Sequence, residues 1–143
     1  MPITVTATAG GPAHACALVG PIDHTAHIKV DVSALTANEV DKYGYLKPNV
    51  PMLVTGLLVT AGATAGTAVG PVFGITIEAI KVAASNSAGD IAAVTATTDP
   101  FVAVATHGLV NRDIGEDVLD RAYTAAEIAG FATAGSHLTL LPT

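Results

Sequence analysis

The chain has 143 residues, with 6 Lys and Arg against 12 Asp and Glu, a formal net charge of −6 when histidine is neutral. That length closes a single hydrophobic core, and the acidic balance excludes the basic face needed to bind nucleic acid or an anionic membrane. Half of the residues are apolar yet only 4% are aromatic, and tryptophan is absent, so Ala, Val, Thr and Gly must build the interior from thin strands and tight turns.

Residues 3–8, ITVTAT, alternate apolar side chains (Ile3, Val5, Ala7) with threonine, the period of a strand with two unlike faces. The following AGGPAHACALVGP carries five Gly and Pro breakers, too many to support a packed element. Residues 1–26 therefore read as an extended arm that orders on a partner, or as a frayed terminus. The start lacks the basic and apolar regions of a signal peptide. No apolar run approaches the roughly 18 to 20 residues of a membrane-spanning helix. The expectation is a soluble protein used without export. Cys16, the one cysteine, excludes an intramolecular disulfide and a cysteine-rich zinc site.

The domain proper is expected over 27–143. HIKVDV (27–32) places Ile28, Val30 and Val32 on one face and His27, Lys29 and Asp31 on the other, a strand with one wet face. Pro48 and Pro51 favour extended chain from Lys47 to Met52. MLVTGLLV (52–59) and VFGITIEAIKV (72–82) read as strands around a Gly/Ala/Thr loop. The change of parity between Ile75, Ile77 and Ile80, Val82 predicts a β-bulge near Glu78–Ala79. AASNSAGD (83–90) reads as a turn and IAAVTATT (91–98) as a further strand. DPFVAVATHGLV (99–110) is apolar on both faces, as in a central buried strand.

One helix is expected, after Thr124. Glu127 stands three residues on, the spacing of a capping box, and Ile128 and Phe131 share the apolar face. SHLTLL (136–141) returns to strand alternation. The fold class expected is mainly β, a small barrel- or sandwich-like domain with one short helix and an N-terminal arm.

Few constellations offer chemistry. His24 and His27, three apart, point to opposite faces of a strand and have no further ligands nearby, so a metal site is not expected. Cys16 with a histidine lacks a scaffold for nucleophilic catalysis. Gly66, Gly70 and Gly74 precede no helix and no phosphate-loop lysine, so GTAVGPVFG reads as a turn. The polar knot THGLVNRDIGEDVLDR (106–121) has two readings. His107 with Arg112 and Asp113 could serve a small hydrolase or isomerase. Without a converging nucleophile, His107, Asn111, Arg112 and Asp113 read better as a structural corner or inter-subunit contact. No cofactor and no catalytic residue is expected.

In order and texture, KVDVSALTANEVDKYGYLKPNVPMLV, VFGITIEAIKV, DPFVAVATHGLVNRDIGED and TAAEIAGFATAGSHLTLL resemble the lambda-type head decoration proteins of tailed bacteriophages. The resemblance spans about residues 28–141 and rests on no invariant signature. The NRDIGEDVLDRAYTAAEIAGF region is longer than in the shorter members, which puts its packing between protomers in doubt. The resemblance implies a homotrimer over local three-fold axes on the outer surface of the virion capsid, made in the host cytoplasm. Its partner is the major capsid protein, contacted through Ile3, Val5, Ala7, Ile28, Val30 and Val32. A tail-tube or fibre-base protein is the competing virion role.

Overall fold

The computed structural model describes residues 14–31, 35, 38–41, 43–56, 58–59, 70–82 and 100–142. Along them run β1 (Leu18–Val19), β2 (Thr25–Lys29), β3 (Tyr45–Leu46), β4 (Pro51–Met52), β5 (Gly74–Thr76), β6 (Ile80–Lys81), β7 (Phe101–Ala105) and β8 (His107–Asn111). Helices α1 (Arg112–Leu119) and α2 (Ala125–Ala132) follow, and β9 (His137–Leu141) closes the order. The expectations for 3–8 (with Ile3, Val5 and Ala7), for Val32, for 83–90 and for 91–98 lie outside the described residues.

Three open sheets form, in the orders β1-β8-β9, β2-β7-β5-β4 and β3-β6. The domain is mixed α/β, with two helices in its C-terminal third and no closed barrel among the described residues, which corrects the expected β-barrel with one helix. The missed helix is α1. A glycine at its centre and six charged residues over Arg112–Arg121 masked the helical pattern. Its start signal was nonetheless present: the Asn111 side chain accepts from Ile114 N at 3.2 Å, satisfying one of the free amides of the first turn. The helix ends at Asp120, in the left-handed region at φ 56°.

The stretch expected to be one central strand, 99–110, is two. β7 pairs with β2 and β5, whereas β8 pairs with β1 and β9. Thr106 makes the corner, its amide donating to His24 O at 3.0 Å. The parity change after Ile77 is likewise a change of sheet and not a bulge: β5 joins the four-stranded sheet and β6 pairs with β3. Of the described residues within 52–59, only Met52 lies in a strand. The chain then turns through Gly56, at φ 83°, and Met52 meets Leu58 in an isolated bridge. A Cβ on Gly56 would overlap the Lys29 carbonyl, so the turn needs glycine. The extended run expected from Lys47 to Met52 is broken by a turn at Pro48–Asn49, with Asn49 at φ 71°.

Burial follows the alternation where strands form. Ile28 and Val30 are buried while His27 and Lys29 are exposed. The core gathers Val30, Leu46, Met52, Ile75, Val102, Val104, Val110, Leu119 and Leu138, all fully or almost fully enclosed. α2 and β9 lie against each other, with Phe131, Leu138 and Leu140 in the same core.

Candidate functional site

β8 separates the residues of the polar knot. His107 opens the strand and Asn111 closes it as the cap of α1, so His107 and Arg112 stand about 16 Å apart along five extended residues. Arg112 Nε donates to Glu116 Oε2 at 3.1 Å, one helical turn on. Asp113 is exposed in the first turn of α1, where the helix dipole favours an acidic side chain. His107, Arg112 and Asp113 are therefore not brought together.

A different cluster assembles around the linker between the helices. Arg121 grips Glu127 with both nitrogens, Nη1 to Oε1 at 2.7 Å and Nη2 to Oε2 at 3.1 Å, and reaches Glu39 Oε2 at 3.4 Å. Glu127 is fully buried. It also completes the cap of α2, with Thr124 N donating to its Oε1 at 2.9 Å and its own amide donating to Thr124 Oγ1 at 3.2 Å. Burial works against the Arg121 charge, but the two carboxylates outweigh it and its pKa lies above the ordinary value. Lys47 lies close by with the opposite balance: burial lowers its pKa despite the fields of Asp120, Asp41 and Glu39.

From this cluster a chain of bonds runs to the N-terminal segment. Glu116 Oε2 accepts from Tyr123 N at 2.7 Å. Tyr123 Oη donates to Asn49 O at 3.0 Å, and burial pushes its pKa up. The Asn49 side chain then holds the incoming strand on both sides, accepting from Ala17 N at 2.7 Å and donating to Ala15 O at 2.8 Å. Ala17 O accepts from Asn111 N at 2.7 Å. His14 meets Asp41 at 3.1 Å, and Asp41 also takes the amides of Tyr43 and Tyr45. Asn49 itself is fully buried. These groups use their bonding capacity on one another and on backbone, an arrangement that fixes chain positions.

Three rings stack elsewhere. His24, before β2, lies 4.2 Å from His107 between centroids, and His107 lies 4.6 Å from His137 with planes 2° apart. The ladder imposes this, because His107 and His137 are directly paired across β8 and β9. Thr106 Oγ1 stands 2.9 Å from His107 Nδ1. Removal from water between two rings, followed by repulsion from His24 and His137, lowers the His107 pKa. Among the described residues no three His, Cys, Asp or Glu side chains are placed to hold a metal ion.

A groove of about 510 Å³ is lined by Leu53, Val54, Thr55, Gly70, Pro71, Phe73 and Gly135, none of them titratable. Ile128 is half-buried against the core. Phe131 is buried with its ring 5.8 Å from Tyr123 at 72°, an edge-to-face pair.

Sequence reading missed Asn49, Arg121, Glu39 and the histidine stack. Asn49 had a local signal, since Pro followed by Asn fits the two central positions of a turn that needs positive φ at the second. The others meet only through tertiary packing. No family model, no curated protein and no solved structure matches the chain.

Proposed function

We propose that this chain is a structural protein of a tailed-phage head. In this reading it binds the outside of the expanded capsid as homotrimers at local three-fold axes and stabilises the shell by bridging neighbouring capsomers. The observation that carries the reading is the anchoring of the N-terminal segment. Asn49 clamps Ala15 and Ala17, β1 is laddered to β8, and Tyr123 ties Asn49 to the helical linker. Tension on residues before His14 would pass into a buried polar network and not into a loose hinge. A tether root of this kind suits a protein that is pulled from its N-terminal side. The alternating ITVTAT is suited to adding a strand to a partner's sheet edge, where backbone bonds supply affinity with little demand on side chains.

The test uses expanded empty heads of the phage that encodes the chain. Purified protein should sediment with them and add density over the local three-fold positions, and it should raise the temperature at which the heads rupture. Failure to sediment at micromolar concentration would overturn the proposal. Ring assembly without head binding would favour the tail-tube alternative.

A further inference from the structure

Lys47 is the buried cation that the polar network leaves over. The residue is only 9% exposed. Its backbone is pinned on both sides, the amide donating to Glu39 O at 2.8 Å and the carbonyl accepting from Thr76 Oγ1 at 2.8 Å. The carboxylates of Asp120, Asp41 and Glu39 lie near enough to act on its charge, as does the Arg121 guanidinium. Among the described residues, however, none of these carboxylates forms an ion pair with Lys47, and its Nζ donates no hydrogen bond. Competition explains this. Glu39 is turned to Arg121, Asp41 holds His14 and the amides of Tyr43 and Tyr45, and Asp120 stands exposed at the end of α1. Enclosed side-chain nitrogens and oxygens among the described residues all have partners. An ammonium without one must therefore keep its head at solvent while its stem is covered.

We propose that Lys47 is an acylation site, taking its acyl group from a small uncharged donor such as an anhydride, a lactone or an activated ester. In the step, the amine lone pair attacks the acyl carbon and the C–N bond forms. The bond to the leaving group breaks with its electron pair, and the amine proton passes to water. The neutral amine is the reacting form. Desolvation of the ammonium favours it, with help from Arg121 and against the fields of Asp120, Asp41 and Glu39. With no hydrogen bond to break, the nitrogen reacts without rearrangement. The setting differs from that of Lys81, whose Nζ donates to Tyr43 O and lies 5.0 Å from the Tyr45 ring centroid, and from that of Lys29, exposed on β2. Size and charge select the donor. The covered stem admits only a small reagent, and the three carboxylates repel an anionic one such as an acyl phosphate. The amide formed is uncharged, so acylation removes the cation from among these carboxylates.

Competitive labelling of the full chain with limiting acetic anhydride, read by mass spectrometry of the Lys29, Lys47 and Lys81 peptides, provides the test. In the folded chain at about pH 7, Lys47 should be acetylated severalfold faster than Lys29, and the two rates should converge in denaturing urea. The rate at Lys47 should reach half its plateau at a pH below that of an ordinary lysine side chain. Asp120→Asn removes one carboxylate and keeps a residue that tolerates the left-handed backbone there. It should move the Lys47 midpoint to still lower pH and leave the rate at Lys29 unchanged. With acetyl phosphate in place of the anhydride, the preference for Lys47 should disappear. Acetylation of Lys47 no faster than of Lys29, a preference that survives urea, or a midpoint indifferent to Asp120→Asn would each overturn the proposal. An equal preference with acetyl phosphate would overturn the uncharged class of donor. Head binding enters none of these measurements, so the acylation site and the capsid reading stand or fall separately.

Discussion

Two side chains, Arg121 half-buried and Asn49 fully buried, hold more of this molecule together than their size suggests. Arg121 is the counter-charge for Glu127 and Glu39, both almost wholly enclosed. Removing one member of such a set leaves uncompensated charge in a poor solvent, so Arg121→Ala should cost about 3–5 kcal/mol in urea unfolding. A loss below about 1 kcal/mol would mean that water already screens the cluster. Asn49 combines a left-handed backbone with two side-chain bonds, and the two can be separated. Asn49→Gly keeps the backbone conformation and deletes the clamp on Ala15 and Ala17. It should lower stability by about 1–3 kcal/mol through unsatisfied buried backbone groups and, if the proposed capsid role is right, weaken head binding in co-sedimentation. His107 sets a pH dependence of the folded chain itself. Its folded pKa lies below the ordinary 6.5, so the unfolded state binds the extra proton first. Stability is then highest above about pH 6.5 and falls as pH drops below it, levelling off once the folded ring is also protonated. His107→Gln should flatten that part of the pH–melting profile.

Helix α1 shows how an element can defy its own propensities. Gly115 lies inside it, where Ala would ordinarily stabilise by about 1 kcal/mol. Here a Cβ would run into the hydroxyl end of Tyr123, whose ring is buried and whose Oη is bonded to Asn49 O. Gly115→Ala should therefore destabilise, by about 1–3 kcal/mol as for other overpacked sites, and Tyr123→Phe should partly relieve it in the double variant. A more stable Gly115→Ala protein would mean that Tyr123 can move aside freely. Phe131 supports the other helix, and Phe131→Ala should cost roughly 3–5 kcal/mol in thermal or urea melts. The contrast explains what was legible. The capping residues and apolar face of α2 lie within eight residues of one another and speak for themselves. α1 depends on the shape of Tyr123, eight residues beyond Gly115, and its own sequence shows a glycine among charges. The split of 99–110 into β7 and β8 was equally hidden, because the carbonyl that bends the chain at Thr106 belongs to His24. Short strands shared among three sheets defeat periodicity, since each contributes too few residues to establish a face.

At the scale of the whole molecule, the arrangement of the sheets was open to reading in the sequence only in part. Composition showed an acidic chain, but the three-stranded sheet exists only once β1, β8 and β9 are aligned. If the proposed tether is right, removing residues 2–13 should leave the melting temperature within a few degrees of the full chain and abolish sedimentation with expanded heads. Retained decoration would move the capsid contact onto the domain.

The pairing of β1 with β8 and of β2 with β7 has a consequence for synthesis. His24 and Thr106, which meet at the corner, are separated by 82 positions. A ribosome adding about 5–20 residues per second therefore exposes the first strands some 4 to 16 s before their partners emerge. Contacts this distant in sequence also close slowly. The N-terminal strands wait as unpaired edges, open to capture by other nascent chains or chaperones. Folding of the domain should accordingly wait until β7 to β9 have emerged: a stalled chain ending at residue 100 should remain protease-sensitive, while one extended past residue 141 by a long enough linker to clear the exit tunnel should become resistant.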